Sequence, residues 1–241
     1  MSQIVINIPI VIDTTYPIKS QIDFKWIFTD IIYDRGNIIY IACFDNDCNY
    51  VAKKIRINKD YDEIGCFTMA DKVRNELVIS KLMSDNDIGP KIYDMSINET
   101  EAIMIMDKYD GTLDDLLHLY QMDRSIPIDR ILNDLENLIY KMHSLNIVHN
   151  DLHLRNVLYT KKGKIILADF GQSLYTTFDE LKELDRLSFE GIKELYNIIK
   201  KSKEIFNNDC FFDWALDLQP RPFVFYDFIY TWNGQECDWY I

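Results

Sequence analysis

The chain has 241 residues, of which 48% are hydrophobic and 27% charged, with a formal charge of −13. That length and apolar content allow a sizeable core, as one domain or two small lobes, and exclude general disorder. The acidic balance argues against a nucleic-acid grip, which needs clustered Lys and Arg, and is compatible with a basic protein partner.

Five cysteines, Cys43, Cys48, Cys66, Cys210 and Cys237, are odd in number and lack C-x-x-C spacing. The simpler reading is free thiols in a reducing, cytoplasmic setting, a host cell's cytoplasm if the source is a virus or intracellular pathogen. The abundance of Ile, Asn, Lys and Tyr fits an AT-rich genome. The apolar start from Ile4 to Ile12 lacks a basic leader and is broken by Asn7 and Pro9, which favours a strand or packed arm over a signal peptide. No apolar run approaches the roughly 20 residues of a membrane span, so no membrane association is expected.

In chain order, strands are expected over Phe24–Tyr33, Ile38–Phe44 and Tyr50–Ile57, with Asp45-Asn46-Asp47 turning between the last two. A helical pattern runs from about Phe67 to Met83, with Val73, Leu77, Ile79 and Leu82 near helical spacing. Strands follow after Gly89-Pro90 and over Ala102–Met106. Helices are then expected over Leu113–Tyr120 and Ile131–Leu145, the latter with Ile131, Leu135, Leu138, Ile139 and Met142 on one stripe.

The informative stretch runs from His149 to Gly171. It contains His149-Asn150-Asp151, Asn156 five residues after Asp151, apolar runs Val157–Tyr159 and Ile165–Ala168 about a Lys-Lys-Gly turn, and Asp169-Phe170-Gly171. The runs read as a hairpin. A hairpin returns its exit to its entrance, so Asp151, Asn156 and Asp169 can converge. Phosphoryl transfer uses such a set: a carboxylate to orient the acceptor hydroxyl and two oxygen ligands for magnesium on the phosphates.

Here the sequence resembles the protein-kinase superfamily, in particular compact Bud32-like and viral minimal kinases, whose catalytic loop and D-F-G have this spacing. The resemblance covers about residues 30 to 200. It implies an α+β, two-lobed protein-kinase-like fold: an antiparallel-sheet N-lobe over 1–106, a hinge at 107–110 and a shortened, mainly helical C-lobe over 111–241.

By resemblance, Asp151 is the catalytic base, Asn156 and Asp169 hold Mg2+, and Val51-Ala52-Lys53-Lys54-Ile55 matches V-A-I-K. That match places the ATP-phosphate lysine at Lys54, with Ala52 on the same strand face at adenine and Lys53 as the backup. Glu76 is expected to pair with Lys54, with Glu63 as runner-up. The single glycine of Asp34-Arg35-Gly36-Asn37 marks a reduced phosphate loop, and either Ile39 or Ile41 covers adenine. Met106 would be the gatekeeper, and the backbones of Asp107 and Tyr109 the adenine contacts.

The chain departs from the pattern at three places. Asn150 replaces the arginine of H-R-D, so control by loop phosphorylation is not expected. His153 replaces the usual lysine of Ser/Thr kinases. Beyond Gly171 there is no A-P-E, and an amphipathic helix carrying Asp185 follows at once, with Asp185 resembling the helix F aspartate that braces the catalytic loop. The aromatic segment from Asn207 to Ile241 reads as core filling for the short C-lobe. The expected activity is ATP-dependent, Mg2+-dependent phosphorylation of a protein Ser/Thr hydroxyl. The alternatives are a small-molecule kinase of the aminoglycoside-phosphotransferase type and a pseudokinase or binding module acting on a protein partner.

Overall fold

The structure is a computed structural model that describes residues 18–35, 37–57, 69–201, 230–232 and 235–237. It divides between Lys108 and Tyr109 into two compact units. Gly36 and Glu63, along with most of the aromatic segment from Asn207, lie outside the described residues.

Among the described residues, the first unit holds a five-stranded antiparallel sheet and one helix, besides a short antiparallel pair of Tyr230–Trp232 with Gln235–Cys237. The strands of the sheet are β1 (Ile27–Arg35), β2 (Asn37–Phe44), β3 (Asp47–Arg56), β4 (Ile92–Ile97) and β5 (Glu101–Asp107), in spatial order β1-β2-β3-β5-β4. Helix α1 (Met69–Asp85) precedes β4. Strand alternation gives the sheet two apolar faces. One packs Ile55, Met104 and Met106 with Val73 and Leu77 of α1. The other packs Ala42, Ala52, Ile103 and Ile105 beneath Ile22, Trp26 and Phe28. A sheet buried on both faces needs apolar residues at successive positions, as Ala102-Ile103-Met104-Ile105-Met106 provides.

The β2–β3 hairpin turns through Asp45 and Asn46, both at positive φ (48° and 69°), the backbone that two-residue hairpin loops favour. The turn sets Cys43 opposite Cys48, with Cα atoms 4.0 Å apart, and the two are joined as a disulfide. The expectation of free thiols therefore fails for this pair. A tight turn can bring together cysteines whose spacing matches no familiar motif.

The second unit is mainly helical, with short strand pairs: β6 (Gly111–Thr112), α2 (Leu113–Met122), α3 (Ile128–Ser144), β7 (Ile147–Val148), β8 (Val157–Tyr159), β9 (Ile165–Leu167), β10 (Leu174–Tyr175) and α4 (Asp179–Lys201). Thr112 and Asp115 form a reciprocal capping box at the start of α2. Strands β6, β8 and β9 form one small sheet, and β7 pairs with β10. The β8–β9 hairpin turns at Gly163 (φ 81°). Only seven residues separate Gly171 from the start of α4 at Asp179, so a long segment after D-F-G is absent. The architecture is α+β.

Candidate active site

In the second unit, the β8–β9 hairpin and the loop before it carry the polar set. The Asn156 carbonyl accepts the Ala168 amide at 2.8 Å, which fixes Asp169 beside the loop that carries Asp151. Asn156 is buried, and its Nδ2 donates to the Asp151 carbonyl at 2.9 Å and to Asp151 Oδ2 at 3.3 Å. Spending the amide nitrogen on Asp151 leaves the amide oxygen of Asn156 for a metal. Asp169 has a left-handed backbone (φ 62°), which Asp tolerates better than most residues.

Burial raises the Asp151 carboxyl above the usual carboxylate range, and the Asp169 charge adds to the rise, while His153 and His149 oppose it. The His153 imidazole is pushed below its ordinary value, first by burial, although Asp151 acts in the other direction. A partly desolvated carboxylate with a raised pKa is better matched to accept a proton than a fully hydrated one.

The loop is braced from behind. Asp185, seven residues into α4 by position, is 1% exposed; its Oδ2 accepts the His149 amide at 2.8 Å and its Oδ1 the Asn150 amide at 2.9 Å. Its Oδ2 also meets His143 Nε2 of α3 at 2.9 Å. A buried carboxylate is tolerable when it accepts several hydrogen bonds, and here they tie two helices to the turn before Asp151. Asn150 takes a positive φ of 60°, and its Nδ2 donates to the Gln172 carbonyl. The His149 ring lies tilted against Phe170, with ring centroids 5.2 Å apart, and its Nε2 donates to the Ala168 carbonyl at 3.0 Å.

The expectation for Asp185 as a brace of the catalytic-loop backbone matches this geometry. Sequence reasoning missed His143, although a signal was present. It stands four residues after Ile139 on the apolar stripe of α3, where a histidine needs a buried partner.

In the first unit the structure corrects the lysine. Lys53 Nζ lies 2.7 Å from Glu76 Oε1, and both side chains are buried. Lys54 instead pairs with Glu101 at the partly exposed edge of the other face. The cause is strand register. Lys53 pairs with Ile39 on β2 and Met104 on β5, and Val51 pairs with Ile41 and Met106, so these residues share the α1 face.

Ala52 pairs with Tyr40 and Ile105 and belongs to the opposite cluster. Ala52 and Lys54 do share a face, as alternation requires, but it is not the face of Glu76. A one-residue slip in reading a strand exchanges its faces. Ile39, Ile41 and Met106 lie on the Lys53 face, and Val51 takes the place expected of Ala52. Asp107 ends β5 with its amide donated to the Lys91 carbonyl at 3.1 Å and its Oδ1 accepting the Tyr93 hydroxyl. Tyr109 opens the second unit.

No group of three or more His, Cys, Asp or Glu side chains able to hold a metal occurs among the described residues. Magnesium on a nucleotide asks for less: one or two carboxylate or amide oxygens, with phosphate and water completing the octahedron. The oxygen donors of Asn156 and Asp169 fit that requirement.

Known proteins agree with the geometry. The chain is 32% identical over 162 residues to a probable bifunctional tRNA threonylcarbamoyladenosine biosynthesis protein of Methanosphaera stadtmanae, covering 65% of this chain and 27% of that protein. It is 27% identical over 157 residues to the EKC/KEOPS complex subunit BUD32 of Enterocytozoon bieneusi, covering 61% of this chain and 74% of the relative. It is 29% identical over 140 residues to serine/threonine-protein kinase 1 of Heliothis zea nuclear polyhedrosis virus, covering 58% and 49%. The chain thus spans about a quarter, three quarters and half of these relatives. Residues 36–185, more than half of the chain, match the protein kinase domain, and the buried Lys53–Glu76 pair and the Asp151–Asn156–Asp169 loop fall inside that match; the chain belongs to the protein kinase family.

Proposed function

We propose that the protein is an ATP-dependent phosphotransferase whose acceptor is a protein Ser or Thr hydroxyl. The observation that carries this reading is the hydrogen-bonded catalytic loop, in which Asn156 fixes Asp151 through both its main chain and its side chain while the Ala168 amide ties Asp169 alongside. Lys53, held by Glu76, binds phosphate oxygens of ATP. Ile39, Ile41, Val51 and Met106 supply the apolar contact for adenine, with backbone groups of Asp107 and Tyr109 reading its edge.

Asn156 and Asp169 would hold Mg2+, which when bound would neutralise charge on the phosphates. Asp151 accepts a hydrogen bond from the acceptor hydroxyl and takes its proton as the phosphoryl group moves. The acidity of the chain favours a basic acceptor protein. The viral relative named a serine/threonine-protein kinase supports the protein acceptor, and the relative named a complex subunit supports a protein partner.

The seven-residue segment between Gly171 and α4 favours a second reading, a small-molecule acceptor, because so short a segment offers little to seat a peptide. Transfer of labelled phosphate from Mg-ATP to casein or to a basic protein, compared with a metabolite panel read by ADP release, separates the two. In either assay Asp151→Ala and Asp169→Ala lose about 10²- to 10⁴-fold in rate. Unchanged transfer in both variants would falsify the assignment.

A further inference from the structure

We infer that His153 is a catalytic residue of this transfer, donating a hydrogen bond from Nε2 to the acceptor hydroxyl oxygen while Asp151 takes the hydroxyl proton. The inference rests on the phosphotransfer reading above and deepens it by naming a second group on the acceptor.

The ring is fixed by the loop that carries it. His153 precedes a single 3-10 turn, Leu154–Asn156, and its Nδ1 accepts the Arg155 amide at 3.2 Å. A ring nitrogen that accepts a hydrogen bond carries no proton, so the neutral imidazole is held in the tautomer with hydrogen on Nε2. That Nε2 lies 3.8 Å from Asp151 Oδ2. The gap is too wide for a direct hydrogen bond and is the right width for one oxygen set off the line between the two atoms. An oxygen about 2.9 Å from Nε2 and about 2.7 Å from Oδ2 closes a triangle with a near-right angle at its apex.

A hydroxyl has one hydrogen to give and two lone pairs. In this triangle the hydrogen goes to Asp151, one lone pair accepts from His153, and the other is left for phosphorus. The rotor of the hydroxyl is thereby fixed before reaction, which is where positioning lowers a barrier. As the acceptor oxygen bonds to the γ-phosphorus, the bond from that phosphorus to the bridging oxygen breaks and its electron pair leaves on ADP. The hydroxyl proton passes to Asp151, and His153 keeps its own proton throughout. The same geometry selects its acceptor class: a protonated amine has no lone pair to receive the Nε2 hydrogen, so neutral hydroxyls are favoured.

A purely structural role, capping the 3-10 turn, is separable by substitution. Serine retains a side-chain oxygen that can cap the Arg155 amide but has no donor reaching the acceptor, whereas glutamine offers an amide N–H and caps poorly. Wild type, His153→Ser and His153→Gln are assayed for Mg-ATP turnover with casein present and, with water as the hydroxyl acceptor, absent; the rise in Tm on adding Mg-ATP is recorded alongside.

All three should show the same rise in Tm. His153→Ser should lose about 10- to 100-fold in kcat/KM for the acceptor at unchanged KM for ATP, and His153→Gln should recover much of that loss. A wild-type rate in His153→Ser, or a loss in His153→Gln equal to that in His153→Ser, overturns the donor role. Absence of both the Tm rise and turnover in wild type instead counts against the phosphotransfer reading, and the His153 role falls with it.

Discussion

The two units hold buried charge in different ways. In the first, Lys53 and Glu76 are joined across β3 and α1 by a 2.7 Å contact that leaves both side chains buried. In the second, Asp185 of α4 is shared among the imidazole of His143 and the amides of His149 and Asn150. In the pair each buried charge faces an opposite one, so removing either side chain takes a countercharge away from a desolvated group, which is costly. A web spreads that cost, and a carboxylate that loses one donor retains the others. The arrangement suits what each carries: a long lysine that must present one charge, and a loop whose backbone must not move.

Substitutions separate the buried pair from the web, and the largest effect is expected in the first unit. Lys53→Met should destabilise the protein by about 3–5 kcal/mol and abolish transfer, read by denaturant unfolding and labelled ATP. Adding Glu76→Leu should return most of the stability and none of the transfer, because an apolar pair removes the buried carboxylate without restoring the charge proposed to bind phosphate. Stability no better in the double variant than in Lys53→Met would mean that packing, and not charge, holds this site.

A smaller loss is expected from His143→Leu, about 1–3 kcal/mol, with Asp185 keeping its two amide donors. A drop as deep as that of Lys53→Met would show that the web behaves as a single pair. The smallest effect belongs to Lys54→Met. Its partner Glu101 is itself more than a quarter exposed, so stability should shift by less than about 1 kcal/mol, with transfer retained. Loss of transfer in Lys54→Met with retention in Lys53→Met would reverse the assignment made from the strand register.

The two regions also differed in how readily they could be read from sequence. Asp151, Asn156 and Asp169 sit at intervals set by a loop and a short hairpin, where a change of spacing destroys the motif, so their positions were legible without coordinates. Glu76 was legible too, since Val73 and Leu77 turn inward beside it and leave a carboxylate on the buried side of α1. Lys53 and Lys54 were not separable in that way. Both follow an apolar residue at a two-residue interval, Val51 for one and Ala52 for the other, and β3 is apolar on both faces. With both faces buried, alternation marks no outside, and the small residue at Ala52 points to Lys54, although it is Lys53 that meets Glu76. The Cys43–Cys48 bond was hidden for a related reason, because it depends on the cross-strand register at the turn.

By itself the sequence determined the family, the α+β class, the order of the elements and the loop that carries Asp151, Asn156 and Asp169, because those depend on local periodicity and fixed spacing along the chain. The tertiary structure alone decided which lysine meets Glu76, that His143 joins the Asp185 web, and how far His153 Nε2 stands from Asp151. Each of these is a contact between residues on different strands, helices or sides of a loop, and its distance is set by how faces pack, which spacing along the chain does not encode.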